Sequence, residues 1–346
     1  MNSIHEHCAQ ELKRMNALVD SELERFFAET AQGPAERMYN MLRYFMGFLD
    51  ADFKSSHPVG KRFRSSLCLL IAEAYGARDA SVEAAVAIEL FHNFSLIHDD
   101  IEDHDEMRRG RPTVWKLWGI NHAINSGDVQ SLLASQWCMR AARHPKFGPK
   151  LADILLEAFI EVGEGQYFDF ELADASPFEI DEAQYMRMIE KKSGALVRVS
   201  AEVAGVASQQ SEGECALLRE YGLSLGMAYQ IADDFNSVWS AFDQTGKDAQ
   251  GDIRERKRTL PFIYARTKVD GRASARLDEL YTLPRQLTDT EVQETFSIID
   301  TPDVRNYIQG RAIDFTKRAK LSAGKLSLPQ KNREILSDFV DSLVRI

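Results

Sequence analysis

Apolar residues recur at intervals of three and four through almost every segment of this chain, as at Leu217, Leu218, Tyr221 and Leu225. This spacing places apolar side chains on one face of a helix, and alternating β-branched runs bounded by hairpin turns do not occur. Proline and glycine clusters divide the chain into roughly ten or more helices of ordinary length, without a linker to a second domain. The sequence therefore predicts an all-α fold with residues 1–346 in a single domain.

Two aspartate pairs each follow a long apolar stretch: Asp99-Asp100 in HNFSLIHDDIED, and Asp233-Asp234 in GMAYQIADDF. Burying carboxylates is costly unless a cation compensates their charge. Asp99 and Asp103 are four residues apart, so on a helix they lie on one face about one turn apart. If the two acidic helix ends face each other, the gap between them is a site for Mg²⁺ and for the phosphates that Mg²⁺ carries.

Composition excludes several classes of partner. The chain has 53 Asp and Glu against 42 Lys and Arg, a net charge of −11, so its field repels nucleic acid and anionic lipid. Its start lacks a signal peptide, and the most apolar stretches are interrupted before the roughly 20 residues that a membrane span needs. The four cysteines show neither paired nor CxxC spacing, which is typical of reduced core thiols. We expect a cytoplasmic protein without integral membrane contact.

Basic residues cluster in three segments: VGKRFRSS with Lys61, Arg62 and Arg64, DEMRRGRP with Arg108-Arg109, and EKKSGAL with Lys191-Lys192. Lysine and arginine supply charge and forked hydrogen bonds to phosphate oxygens. Acids that hold Mg²⁺ beside bases that hold phosphate indicate two diphosphates, one bound through metal and one held by cations alone.

Two further segments bear on the second aspartate pair. Gly222 and Gly226 form a small-residue stripe just upstream of Asp233, which lets a neighbouring helix approach closely and holds the acidic end rigidly. The polar segment Ser240–Pro261 is long and aperiodic, and it carries further cations, so it is a candidate lid.

In this order along the chain, the motifs resemble those of the trans-isoprenyl diphosphate synthases, the polyprenyl synthetase family. The resemblance rests on GKRFR, HNFSLIHDDIEDHDEMRRGRPT, NSGD, GQYFD, KKSGAL, GMAYQIADDF and TGKDAQGDIRERKRTLP, and it covers nearly the whole chain. It implies a bundle of mostly antiparallel helices around a deep central cavity, usually in a homodimer. The activity it implies is the Mg²⁺-dependent condensation of isopentenyl diphosphate with an allylic diphosphate.

The resemblance also implies roles for individual residues. It assigns three Mg²⁺ ions to Asp99, Asp100, Asp103, Asp169, Asp233 and Asp234. It assigns the allylic diphosphate to Arg108, Lys192, Ser193, Gln230, Lys247 and Lys257. It assigns isopentenyl diphosphate to Lys61, Arg64, His92 and Arg109, and the polar wall near the metals to Gln166 and Asp169. The residues expected to carry the chemistry are Asp99, Asp103, Lys192, Asp233 and Lys247.

Product length is expected to depend on residues one turn before Asp99, where the tunnel for the growing chain begins. Phe94, with the small Ser95 beside it, is the candidate floor, although Phe91, Met227 or a residue of a facing helix could equally set the limit. The resemblance favours geranylgeranyl diphosphate (C20) over farnesyl diphosphate (C15).

One position departs from the family pattern, since the second motif is DDFNS and Ser237 stands where a third acid is usual. This leaves two rival functions open. The first is a cyclase or lyase on the same fold, which ionises an allylic diphosphate without joining anything to it. The second is a catalytically silent subunit that binds and modifies an active synthase.

Overall fold

A computed structural model describes residues 2–56, 60–239 and 250–346. The described residues are mostly helical, and the predicted all-α fold is confirmed. The helices are α1 (Asn2–Thr30), α2 (Glu36–Phe45), α3 (Phe63–Ala74), α4 (Val82–Glu102), α5 (Val114–Trp118), α6 (Ile120–Ala141), α7 (Gly148–Asp174), α8 (Glu182–Ile189), α9 (Ala195–Ala207), α10 (Glu212–Trp239), α11 (Gly251–Arg254), α12 (Leu260–Lys268), α13 (Gly271–Tyr281), α14 (Asp289–Ile299), α15 (Pro302–Lys325) and α16 (Gln330–Leu343). Short 3₁₀ turns span Gly33–Ala35, Asp79–Ser81 and Pro177–Glu179, and a π-helical turn spans Glu190–Gly194.

A small hairpin interrupts the helices after α4. Its strands, β1 (Met107–Arg108) and β2 (Arg111–Pro112), pair antiparallel, with Met107 opposite Pro112. The sequence did not predict it, because strands of two residues are too short to show the alternation that marks a strand.

The chain divides into two compact units. The first contains residues 1–159, 199–216 and 327–332, and the second contains residues 160–198, 217–326 and 333–346. The organisation of the whole chain as a single domain stays a prediction.

The core of the first unit forms around α4, which packs against α6, α3 and α1. The run Ala84–Ile88 is fully buried, as are Leu67 and Ile71 of α3. Small alanines on α4 let its neighbours approach from several sides, and each fully buried aliphatic side chain contributes about 1.5–3 kcal/mol. This packing fixes the direction in which the end of α4 points.

The buried interior of α4 also explains its composition. Within the described residues, one helical stretch, Asp79–Glu102, is long and apolar enough to cross a membrane, with a mean hydropathy of 1.2. The sequence predicts instead that Glu and His interrupt this apolar stretch before it is long enough to span a membrane. Because 61% of its most apolar window is buried inside the protein, the stretch is accounted for as an interior helix.

The core of the second unit joins α8 and α10 to the helices α12 to α15. Tyr185, Ile231, Phe262 and Leu277 are all buried in this one apolar cluster. Helices α12 and α15 pack together, and the rings of Tyr264 and Tyr307 stack between them at 3.6 Å. Several of these helices begin with a side-chain cap, as at Asp181 and Thr288, each of which forms a capping box.

Candidate active site

The first aspartate pair lies at the C-terminal end of α4 in the first unit. The helix ends at Glu102, and the N–H of Asp103 donates to the carbonyl of Asp99 at 2.8 Å. Asp99 is half-buried and Asp103 is exposed. Carboxylates in the last turn of a helix lie at the negative end of its dipole. This helix end therefore favours a bound cation.

Asp100 is the buried member of the pair. Nε of Arg108 donates to its Oδ1, while Oδ2 is buried and has no hydrogen-bond partner in the described part of the chain. Burial, reinforced by Asp105 and Asp99, raises the pKa of Asp100 to about 7 in spite of Arg108. Burial thus disfavours the charged form of Asp100, and a metal ion nearby would stabilise it.

The hairpin after α4 brings two arginines to this helix end. Its turn residues Arg109 and Gly110 have φ angles of 52° and 73°, the left-handed pair that a type I′ turn requires. The hairpin is anchored on α2, because the hydroxyl of Tyr44 donates to the carbonyl of Pro112 at 2.6 Å. Arg108 is thereby held on Asp100, and Arg109 turns towards the loop before α3.

The residues predicted to hold the second diphosphate come together in the first unit. Nη1 of Arg64 donates to Nε2 of His92 at 3.1 Å, which requires a neutral ring with its proton on Nδ1. The guanidinium of Arg109 packs against Gly60, where a Cβ would lie 3.1 Å from Nη1. Lys61, next to Gly60, is exposed. We call Lys61, Arg64, His92 and Arg109 the cationic cluster.

The electrostatics of the cationic cluster favour an anion. Burial and the charges of Arg64 and Arg109 hold the pKa of His92 well below its usual value. Although Arg109 as a whole is exposed, burial of its packed guanidinium and the nearby Arg62 lower its pKa to about 10. Mutual repulsion of this kind is relieved when a negatively charged group binds.

Arg62 differs from its neighbours in the same basic motif. Its side chain is turned inward and is only 4% exposed, with an ion pair to Glu89 at 2.9 Å. The sequence predicts that Arg62 meets an anionic ligand together with Lys61 and Arg64. The structure gives it a different environment, because its left-handed backbone directs the side chain into the core.

The second aspartate pair lies on α10 in the second unit. Asp234 is buried, and it accepts hydrogen bonds from the Tyr185 hydroxyl and from Nε2 of Gln230, the latter at 2.8 Å. Burial, followed by the charge of Asp252, raises the pKa of Asp234 to about 8. Asp233 is half-buried. That the two aspartate pairs face each other stays a prediction.

A polar network extends from Asp234 to the KKSG motif. Ser193 donates from Oγ to Oε1 of Gln230 at 2.6 Å, so Ser193, Gln230 and Asp234 form one chain. Ser193 lies in the π-helical turn Glu190–Gly194, a type of distortion that is frequent at functional sites. The predicted residues Ser193 and Gln230 are thus brought together.

Lys192, in the same π-helical turn, pairs with the GQYFD motif. Its Nζ lies 2.6 Å from Oδ2 of Asp169. Gln166 is half-buried, and it lies three residues before Asp169 on α7, on the same face of that helix. A Cβ at Gly165 would lie 2.2 Å from the backbone nitrogen of Lys192, so only glycine permits this approach.

The glycine stripe on α10 is confirmed as a close-packing surface. A Cβ at Gly222 would lie 2.6 Å from the carbonyl oxygen of Val197, and one at Gly226 would lie 2.9 Å from Cα of Gly194. The backbone around Gly194 and Val197 therefore packs directly against α10, the helix that carries Asp233.

Ser237 contacts a carboxylate from farther along the chain. Its hydroxyl lies within hydrogen-bonding distance of the Asp252 carboxylate, and it is 2.9 Å from the carbonyl of Asp234. Asp252 belongs to the short helix α11, inside the segment expected to be aperiodic. A carboxylate thus lies beside the position where the family pattern has its third acid.

The predicted lid is described from residue 250 onwards. Lys257 pairs with Glu255 at 3.0 Å, and Arg258 donates to the carbonyl of Leu172 at 2.5 Å. The end of the segment is therefore fixed to α7. Lys247 lies outside the described residues.

The proposed tunnel floor is aromatic. Phe94 is half-buried, with its ring 5.2 Å from Phe91 and 5.0 Å from the ring of His98. Phe91 stacks on Phe159 of α7 at 3.9 Å. Phe159 is a facing-helix residue of the kind that the sequence left open.

Sequence reasoning missed Tyr185 and Asp252. Tyr185 belongs to no motif, and its position is typical of an ordinary apolar residue on an amphipathic helix. Asp252 stands in the predicted lid, but its sequence separation from Ser237 hides the contact. A signal was available only for Asp252, since the missing third acid invites a search for another carboxylate nearby.

The donor set suits a divalent metal in its chemistry. Carboxylate oxygens are the ligands that Mg²⁺ prefers, and burial raises the pKa of both Asp100 and Asp234, so a nearby cation would stabilise their charged forms. Within the described ranges, no three His, Cys, Asp or Glu side chains already converge on one point as a metal cluster. The carboxylates of the two aspartate pairs therefore suit a metal ion that binds together with an anionic ligand.

An all-α fold with two aspartate pairs, each with one buried member, and a cationic cluster defines the class of isoprenoid synthases. The family model described as polyprenyl synthetase matches residues 50–299. The chain belongs to this family and is a prenyltransferase, an isoprenyl diphosphate synthase. The function predicted from the sequence, condensation to a short-chain prenyl diphosphate, is confirmed at this level. Enzymes of the family use a divalent metal to bind diphosphate.

Relatives of known function cover most of the chain. A geranylgeranyl diphosphate synthase of Methanosarcina mazei is 33% identical over 285 residues, 81% of this chain and 83% of that protein. A (2E,6E)-farnesyl diphosphate synthase of Mycobacterium tuberculosis is 32% identical over 317 residues, 89% of this chain and 86% of that protein.

Solved structures are similar over nearly the whole length. A polyprenyl synthetase from Streptomyces coelicolor A3(2) aligns with a TM-score of 0.87 at 29% identity, over 97% of this chain and 99% of that one. A geranylgeranyl pyrophosphate synthetase from Pyrococcus horikoshii aligns with a TM-score of 0.85 at 30% identity, over 99% of both chains.

Proposed function

We propose that this enzyme joins isopentenyl diphosphate head to tail with an allylic diphosphate of five to fifteen carbons. The observation that carries the proposal is the cationic cluster, in which Arg64 binds His92 and Arg109 packs on the loop of Lys61. A cyclase or lyase handles one diphosphate and needs no such second anion site.

The metal proposal concerns three Mg²⁺ ions. We assign them to the carboxylates of Asp99, Asp103 and Asp233, with support from Asp100, Asp169 and Asp234. When bound, the ions draw electron density from the allylic diphosphate and weaken its C–O bond. The ion pairs of Arg108 with Asp100 and of Lys192 with Asp169 hold both cations ready at these carboxylates.

The allylic diphosphate is held by cations and polar groups near the metal-binding carboxylates. These are Arg108, Lys192, Ser193, Gln230, Lys247 and Lys257, with Gln166 in the polar wall. Arg108 and Lys192 add positive charge to the departing group, which lowers the free energy of the transition state more than that of the bound substrate.

The isopentenyl diphosphate is held by the cationic cluster without metal. Arg64 and Arg109 offer forked donors to the phosphate oxygens, and Lys61 adds a mobile charge. His92, kept neutral, accepts from Arg64 and fixes the direction of its guanidinium. This orientation points the double bond of the second substrate at the allylic carbon.

The allylic cation forms on the substrate and needs neutral, oriented dipoles around it. The Ser193 hydroxyl, the Gln230 amide and the carbonyls of the π-helical turn supply such dipoles. The isopentenyl double bond attacks the cation, and the departing diphosphate takes the proton that is then lost. Exclusion of water from the site would prevent quenching of the cation.

The test is incorporation of labelled isopentenyl diphosphate with Mg²⁺ and each of the C5, C10 and C15 allylic primers, with products sized after dephosphorylation. We expect chain elongation to C20, or to C15. Diphosphate release without incorporation would replace the proposal with a cyclase or lyase. Absence of both reactions would favour a silent subunit, the rival that Ser237 leaves open.

We further propose a homodimer in the cytoplasm. Four large apolar side chains on α6 are exposed at 43–68%, and a second copy of the chain would cover them: Ile120, Ile124, Leu132 and Met139. Sedimentation equilibrium of the purified enzyme tests this, and a monomer at micromolar concentration would refute it. All four cysteines are buried and form no disulfide, which supports a reducing compartment.

A further inference from the structure

The backbone of Arg62 is a conformational outlier. Its φ of 45° and ψ of 24° lie in the left-handed region, and it occupies the position just before α3 begins. A residue with a Cβ adopts this conformation only when the surrounding structure imposes it. The observation therefore raises the question of what holds Arg62 and what its geometry provides.

Three acceptors fix the Arg62 side chain. Nε donates to Asp20 at 3.0 Å, Nη1 to Glu89 at 2.9 Å and Nη2 to the carbonyl of Met46 at 2.7 Å. Glu89 also accepts from Ser65 at 2.8 Å. Burial alone would lower the pKa of Arg62, but Glu89 and Asp20 together raise it, so the guanidinium stays charged.

Helix α1 holds the same loop from a second direction. Nδ2 of Asn16 donates to the carbonyl of Lys61 at 3.2 Å, and the hydroxyl of Ser66 donates to Oδ1 of Asn16. Asn16 and Asp20 are four residues apart on α1 and so share one helix face. This face contacts the segment Lys61–Ser66 at its start, at Arg62 and at the first turn of α3.

We propose that Asn16 and Asp20 of α1, acting through Arg62, are positioning residues for the anion-binding groups Lys61 and Arg64. The left-handed turn at Arg62 sets the direction in which α3 starts, and thus where Arg64 meets His92. Arg62 itself, buried among its acceptors, does not contact substrate. The inference rests on the proposed function, because it assigns the subsite for isopentenyl diphosphate to these cations.

The experiment compares Asn16→Ala and Asp20→Ala with wild-type enzyme by steady-state kinetics, varying each substrate in turn. We expect the KM for isopentenyl diphosphate to rise about tenfold in each variant, while kcat and the KM for the allylic diphosphate stay within about twofold. Glu24→Ala is the matched control, since Glu24 is an exposed acid one turn beyond Asp20 on the same helix. Its kinetics should match those of the wild type.

The outcomes separate this inference from the proposed function. An active wild type with an unchanged KM for isopentenyl diphosphate in both variants would overturn the positioning role and leave the proposed function intact. If the KM values for both substrates rise equally, α1 gives only general structural support, and the positioning role is again overturned. Asn16→Ala removes no charge, so it keeps the test available if Asp20→Ala fails to fold. An inactive wild type would instead refute the proposed function.

Discussion

At the scale of single residues, burial decides what each predicted site residue does. Asp99 and Asp103 stay accessible at the end of α4, whereas Asp100 and Asp234 are buried and hold their neighbours in place. The same division separates Arg64, which faces His92, from Arg62, which faces the core. A motif therefore contains both groups that meet ligands and groups that orient them.

His92 gives a prediction on pH and stability. The pKa of His92 is well below 6.5 in the folded protein. As the pH falls through 6.5, His92 is therefore protonated in the unfolded chain but stays neutral in the folded protein. Wild-type stability should therefore fall relative to His92→Gln by up to about 1.4 kcal/mol per pH unit below that point. Urea unfolding at several pH values measures the difference. Parallel curves for both proteins would contradict it, and His122→Gln, at an exposed position on α6, serves as control.

Phe94 gives a prediction on product length. Its ring stands against Phe91 and His98, one turn before Asp99, so truncation should open space for a longer chain. Phe94→Ala should shift the product by one or more C5 units, and Ser95→Phe should shorten it. Chromatography of the dephosphorylated products measures both. An unchanged distribution in both variants would remove Phe94 as the floor.

At the scale of elements, close backbone packing holds the second aspartate pair. Helix α10 meets the π-helical turn through Gly226 and Gly194, with no room for a side chain between them. The hairpin β1–β2 plays the comparable part in the first unit, because it carries Arg108 to Asp100.

The glycine contact predicts a loss of stability on substitution. Gly226→Ala adds a methyl group 2.9 Å from Cα of Gly194 and should lower the free energy of unfolding by about 2 kcal/mol. Gly310→Ala, in a helix where nothing lies within 4 Å, should instead raise it by up to about 1 kcal/mol. Urea denaturation compares the two. If both substitutions change the free energy of unfolding equally, helix propensity and not packing determines the effect at position 226.

Ser237 predicts a dependence of stability on metal. Ser237→Asp restores the third acid but places it beside Asp252 and Asp234, so the melting temperature should fall without metal. Added Mg²⁺ with inorganic diphosphate should recover more of the lost stability than it adds to the wild type. Ser237→Asn, which adds bulk without charge, is the control. If Mg²⁺ and diphosphate raise the melting temperature of Ser237→Asp no more than that of the wild type, a cation site at this helix end is contradicted.

At the scale of the whole molecule, helix content and the identity of the motifs followed from the sequence, whereas contacts between distant segments did not. The periodicity around Leu217 predicts a helix because it depends on neighbours three and four residues apart. The pairing of Ser237 with Asp252, and of Arg62 with Asp20, depends on how the chain folds back. The left-handed backbone of Arg62 left no trace in the sequence, since arginine has no preference for that conformation.

The central proposal is that the carboxylates of both aspartate pairs bind metal together with diphosphate. A crystal structure of the enzyme with Mg²⁺ and inorganic diphosphate tests it most directly. We predict Mg²⁺ at about 2.1 Å from carboxylate oxygens of Asp99, Asp103 and Asp233, with the diphosphate among the ions. Asp99 and Asp233 directed away from any common cavity, with no metal on either, would contradict the account.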